Sequence, residues 1–133
     1  MTTPFTLGKQ ERLKSRKDLE ALFREGQSFF LFPYKVIYRL VPGTPGLRFG
    51  TGAGRRHFRR ATDRNRIKRL TREAFRLQKG ELLGHLQSAG HQLHLFLLYT
   101  GKELPEFSQV KEKTAVALKR LSELVHEMAT STS

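Results

Sequence analysis

The spacing of apolar residues changes repeatedly along the chain, and each change marks a new element. Leu19, Leu22 and Phe23 lie on one face of a helix over residues 15–26. Ser15 suits its N-cap, Asp18 three residues on comes close to a capping box, and Gly26 suits its end. A strand follows over residues 28–41, in which Tyr34, Val36, Tyr38 and Leu40 alternate with Lys35, Ile37 and Arg39; Pro33 places the start of the strand proper after it. The run Pro42-Gly43-Thr44-Pro45-Gly46 is a turn, from which residues 47–54 are expected to return as the second strand of a hairpin. Residues 64–79 read as a helix capped by Thr62 or Asp63 and closed by Gly80, with a further helical turn over 81–87 ended by Ser88-Ala89-Gly90. Leu93, Leu95, Leu97 and Tyr99 alternate with His94, Phe96 and Leu98, so both faces of this strand are largely apolar and it should be central in its sheet. After Ser108, a plausible cap, Val110, Thr114, Ala117, Leu118, Leu121, Leu124, Val125 and Met128 repeat at helical spacing.

The predicted order is helix, strand, strand, helix, strand, helix. This is a small α/β (α+β) sandwich with a mixed or antiparallel sheet. Its 133 residues make one domain, with residues 1–8 as a tail or strap anchored by Leu7 and 129–133 as a polar end. The longest apolar run, 93–99, is too short to cross a bilayer, and no export signal is recognisable, so a cytoplasmic protein is expected.

Charge sharpens this picture. The net charge is +13, and residues 48–79 hold twelve Lys/Arg against Asp63 and Glu73, an excess of +10. A block of this kind repels itself unless a polyanion lies against it. Apolar residues within the block point to a protein core rather than to lipid, so no membrane partner is expected. There are no cysteines, which excludes disulfides, thiolate metal sites and zinc-finger readers.

On a helical wheel of residues 64–77, Ile67, Leu70, Ala74 and Leu77 share one side. Asn65, Arg69, Arg72 and Arg76 fall within roughly 60° of each other on the opposite side. Arg64 and Lys68 flank one edge and Arg66 the other. Like charges at i,i+3 and i,i+4 each cost an isolated helix roughly a few tenths of a kcal/mol, and cations at its N-terminus oppose the macrodipole. Phosphates would turn that repulsion into attraction, and the planar arginine fork can hold two phosphate oxygens at once. Asn65 could bind phosphate, hold a hydrated metal ion, or make only a local turn bond. A helix-turn-helix would need a second short helix upstream, and an RRM would need aromatics in a basic central strand; neither is present, and net charge alone does not choose between RNA and DNA.

The segment Arg64-Asn65-Arg66-Ile67-Lys68-Arg69-Leu70, followed by Arg72-Glu73-Ala74-Phe75-Arg76, resembles the Arg-Asn-Arg signature of the bacterial ribonuclease P protein family. Asp18-Leu19, Leu22-Phe23-Arg24 and Gly26 are similar to the family's first helix, and Arg55-Arg56 to its basic pair after the second strand. The resemblance implies a left-handed β-α-β crossover around the Arg-Asn-Arg helix, against the general rule. It implies that Arg55, Arg56, Arg64, Asn65, Arg66, Lys68, Arg69, Arg72 and Arg76 meet a catalytic RNA, so that RNA and not DNA is the expected partner. It also implies that Phe23, Lys35, Ile37 and Arg39 line a cleft for the single-stranded 5′ leader of precursor tRNA. Phe23 could equally be core, while Tyr34 and Tyr38 are expected in the core. The implied role is assistance to an RNA that cleaves with its own Mg²⁺, no cofactor being held by the protein alone. Two departures stand out: Gly50-Thr51-Gly52-Ala53-Gly54 replaces a β-branched, Ser-containing strand, and the connector 57–63 is longer.

Two rival readings exist. An autonomous two-metal nuclease needs clustered carboxylates, yet the only aspartates are Asp18 and Asp63, on different elements. His57, His91 and His94 fit surface or core positions better than catalysis. A ribosomal or other structured-RNA-binding protein would share the charge but not the cleft.

Overall fold

The computed structural model describes residues 12–13 and 15–131, with side-chain surroundings through residue 127. Leu7, the expected strap anchor, lies outside them. Eight elements follow in order: α1 (Arg16–Glu25), β1 (Gln27–Leu31), β2 (Tyr34–Val41), β3 (Gly46–Ala53), α2 (Ala61–Gln78), α3 (Gly80–Ala89), β4 (Gln92–Tyr99) and α4 (Phe107–Ser131). The mixed α+β architecture agrees with the sequence pattern. One expected element is split, however, the first strand at Phe32-Pro33, and the helical turn expected over 81–87 is a full helix abutting α2.

Local chemistry accounts for the helix ends. Ser15 Oγ accepts the Asp18 N–H at 3.3 Å, as expected for an N-cap. Gly26 ends α1 in extended backbone, φ −73°; a β-carbon there would collide with the Leu22 carbonyl oxygen, so glycine serves close approach rather than a left-handed turn. Neither Thr62 nor Asp63 caps α2. Its N-cap is Arg60, with no side-chain cap bond, and both residues lie in the first turn, where Asp63 suits the dipole. The start moves upstream because the connector is anchored by the buried Phe58 ring, 6.0 Å from Tyr99, and by Arg64 Nη1, which donates to the Phe58 and Arg59 carbonyls at 2.7 and 2.8 Å. Gly80 does not close α2 either. Lys79 keeps right-handed helical angles and Gly80 opens α3, which Gly90 then ends in the left-handed conformation at φ 74°. Helix α4 begins at Phe107, one residue before the expected cap Ser108, and runs on to Ser131 where a polar tail was expected.

The four-stranded sheet has the order β1-β2-β4-β3. β1 pairs antiparallel with β2, β2 antiparallel with β4, and β3 parallel with β4. The expected β2–β3 hairpin is therefore absent: β4 sits between them, and α2 and α3 form the crossover from β3 to β4. Leu93, Leu95 and Leu97 are fully buried, which a central strand achieves with a neighbour on each side. Alternation along β2 and β3 records which face is apolar, not which strand lies alongside.

One face carries Tyr34, Val36, Tyr38, Phe49, Leu93, Leu95 and Leu97 against α2, α3 and α4 and forms the main core. Phe75 of α2 stacks on Phe49 of β3, 3.8 Å between centroids. Tyr34 Oη donates to Thr71 Oγ1 at 2.7 Å, because the Thr71 hydroxyl proton already goes to the Ile67 carbonyl at 2.8 Å. Burial pushes the Tyr34 phenol up to about 12, so it remains a donor. Tyr34 and Tyr38 are thus core residues, as expected. The opposite face bears a smaller cluster, Leu13, Leu22 and Ile37, with Leu19 and Phe96 against it, under α1.

Among the described residues, Thr114 Oγ1 of α4 is buried without a hydrogen-bond partner. Thr114→Val should raise stability by about 1 kcal/mol, since an unsatisfied buried hydroxyl costs roughly 1–3 kcal/mol. Urea unfolding measures this, and a loss of stability would show that the hydroxyl is satisfied in solution.

Candidate RNA interface

Packing of Ile67, Thr71, Ala74 and Phe75 into the core sets the roll of α2. The buried stripe differs from the expected one: Thr71 and Phe75 are fully buried, whereas Leu70 is half-buried and Leu77 is 37% exposed. The opposite flank is left to solvent. Asn65, Arg66, Arg69 and Arg72 are exposed and Lys68 is half-buried. None of these five side chains has a hydrogen bond or ion pair to another described residue. Arg55 and Arg56 are exposed in the turn after β3.

Two expected members of this surface are engaged internally. Arg64 spends its guanidinium on the connector carbonyls noted above, so it shapes the approach to α2. Arg76 Nε donates to Glu73 Oε2 at 3.1 Å, which holds the Glu73 carboxyl below its usual range and the guanidinium above its own. This exposed i,i+3 pair adds little stability and leaves the flank open to a stronger anion.

The residues expected to line a cleft do not all face solvent. Phe23 is 52% exposed, so it is not core, and its ring meets Phe96 edge to face at 5.1 Å. Lys35 is exposed. Ile37, expected to line the cleft, is 6% exposed and belongs to the cluster beneath α1, because α1 covers that row of the sheet. Arg39 is half-buried and reaches Glu25 Oε2 on α1 at 2.8 Å, tying helix to sheet. His94 is buried on the same face, with Nε2 3.0 Å from Gln92 Oε1; burial lowers its pKa, aided by Arg48 and Arg39 and opposed by Asp18.

Phe96 is the residue the periodicity did not single out. It pairs with Ile37 on one side and Gly50 on the other. A β-carbon at Gly50 or Gly52 would meet its ring at 3.0 or 3.1 Å, so the glycines make room for Phe96. Only the cross-strand register reveals this, because along β4 Phe96 is one more apolar residue.

Asp18 stands on α1 and Asp63 on α2, on opposite faces of the sheet, so the two aspartates cannot share a metal pair.

Known proteins of one kind resemble this chain in sequence and in fold. The sequence model described as Ribonuclease P matches residues 7–122. The ribonuclease P protein component of Porphyromonas gingivalis (strain ATCC 33277) is 36% identical over 126 residues, covering 92% of each chain. That of Chlorobium phaeobacteroides is 30% identical over 133 residues, covering 90% of this chain and 91% of the relative. The solved structure of the Thermotoga maritima RNase P protein superposes with a TM-score of 0.66 at 31% identity, covering 83% of this chain and 96% of that one. With an Arg-Asn-Arg helix held on a four-stranded mixed sheet and full-length relatives of one kind, the chain belongs to the ribonuclease P protein family.

Proposed function

We propose that the solvent flank of α2 seats this ribonuclease P protein on its RNA partner, and that the α1–sheet groove holds the 5′ leader of precursor tRNA. Membership of the family makes the chain the protein component of an endoribonuclease of tRNA 5′ maturation that works in association with ribonuclease P RNA. A general structured-RNA-binding role without cleavage is not favoured. The observation that carries the interface is the unpaired state of Asn65, Arg66, Arg69 and Arg72 on one exposed flank, against an uncharged buried stripe on the same helix. Such a flank is costly alone and favourable against phosphates. Arg55, Arg56 and Lys68 extend it. Arg76 would join by exchanging Glu73 for phosphate, and Arg64 contributes by fixing the connector.

In the groove, Phe23 offers a ring to a leader base, Lys35 a cation to its backbone, and Arg39 a second cation now held by Glu25. Phosphodiester hydrolysis belongs to the RNA and its Mg²⁺; Asn65, exposed at the first turns of α2, would contact that Mg²⁺ only through its water shell. The protein's part is to neutralise phosphates and to orient the substrate. Among the described residues no helix is long and apolar enough to cross a membrane; the proposed work on precursor tRNA is what puts the chain in the cytoplasm in this reading.

Reconstitution tests the proposal. Protein plus cognate RNA and Mg²⁺ should release the leader from precursor tRNA, protein alone should release none, and a generic duplex RNA should not substitute. Cleavage by the protein without RNA would overturn it.

A further inference from the structure

We infer that the leader track continues beyond Phe23 along one transverse row of the sheet and ends on an aromatic ledge formed by Phe30 and Phe32. The inference rests on the leader-groove reading and extends it to residues outside the family signature.

Register defines the row. Gly52 pairs with Leu98, Leu98 with Lys35, and Lys35 with Phe30. Directly paired residues point to the same face, so these four positions line up across β3, β4, β2 and β1 over about 14 Å. Helix α1 does not cover them; it packs one row away, on Ile37 and Phe96. The Phe96 ring leans from that row over Gly52, and Phe23 stands against it.

The two ends of the row differ in chemistry. β3 leaves Gly52 for Ala53 and Gly54 and then the exposed pair Arg55-Arg56, on the way to α2. That end lies toward the proposed RNA interface, where a leader would leave the cleavage site. The other end is β1, an outer strand of the sheet. There Phe30 is 61% and Phe32 64% exposed, with their rings 6.3 Å apart. Two large aromatic side chains left in water side by side mark a contact surface.

Single-stranded RNA fits this row better than a protein does. The Phe96 ring over Gly52 and the half-buried Leu98 give an apolar floor, Lys35 is an exposed cation, and Phe30 supplies a π-face. A cation beside stacking rings is how single strands are held without sequence preference. The centre of a protein–protein patch is instead depleted of lysine. A second copy of the chain pairing edge to edge through the uncharged β1, Gln27–Leu31, is the competing occupant.

The test uses the reconstituted holoenzyme and two precursor tRNAs that differ only in leader length, one reaching no farther than Phe23 and one extended by several unstructured nucleotides. The wild-type protein should bind the long-leader substrate about tenfold more tightly, the order expected for one stacked base. Phe30→Ala/Phe32→Ala should abolish that advantage, leave short-leader binding and affinity for the RNA subunit unchanged, and leave thermal stability intact, since both rings are exposed. Phe30→Tyr/Phe32→Tyr should restore the advantage. Phe23→Ala should weaken both substrates; if it weakens neither, the groove reading itself fails. If the wild type shows no length advantage, or the double-alanine variant keeps it, the ledge is overturned. The same holds if the variant only converts a free-protein dimer to monomer in sedimentation.

Discussion

Replacing Arg69 and Arg72 together by alanine is expected to weaken binding to ribonuclease P RNA on the order of 50-fold at 0.1 M salt, with a salt slope shallower by about two units, one for each phosphate left without its arginine. Both side chains are exposed and neither is paired with another described residue, so the packing of the protein should not suffer. Removing the i,i+3 like-charge pair should even stabilise the free protein by a few tenths of a kcal/mol. The signature is therefore a split: RNA affinity and its salt dependence fall while the melting temperature holds or rises. Titrations at several salt concentrations, with a melting curve of each variant, read both quantities. An unchanged slope would show that RNA does not meet this flank.

Phe75→Ala is expected to have the opposite signature. The ring is fully buried on α2 and stacks in parallel on Phe49 of β3. Truncating a buried Phe costs about 3–5 kcal/mol, a large part of the roughly 5–15 kcal/mol that holds a domain together. Together with the Tyr34–Thr71 hydrogen bond, this stack fixes how α2 rolls on the sheet and so which arginines face outward. RNA affinity should fall with the folded fraction, and the salt slope of the remaining folded protein should stay as in the wild type. Denaturant unfolding measures the loss; a cost below about 1 kcal/mol would mean that the site repacks around the missing ring.

These two substitutions separate what a linear pattern carries from what it does not. The charged flank of α2 was legible because helical periodicity places Asn65, Arg69 and Arg72 together whatever lies beneath. The stripe beneath was only partly legible. Thr71 looks polar and Leu77 apolar, yet Thr71 is fully buried and Leu77 is 37% exposed, because Tyr34 of β2 satisfies the threonine hydroxyl. Likewise Ile37 shares a strand face with Lys35 and Arg39, and the family resemblance implied a place in the cleft for all three. Helix α1 then covers Ile37, engages Arg39 through Glu25 and leaves Lys35 open.

From its amino acids alone this chain declares most of its helices and strands, a central β4, a basic α2 and the family signature within it, because those features repeat over neighbouring residues or lie in one short run. Tertiary structure alone decided that β4 inserts between β2 and β3, that Phe96 lies across Gly50 and Gly52, and that Phe30 ends a row begun at Gly52. Each of these depends on which strands become neighbours and in what register. Side-chain alternation has a period of two and repeats identically for every partner, so it cannot name the partner.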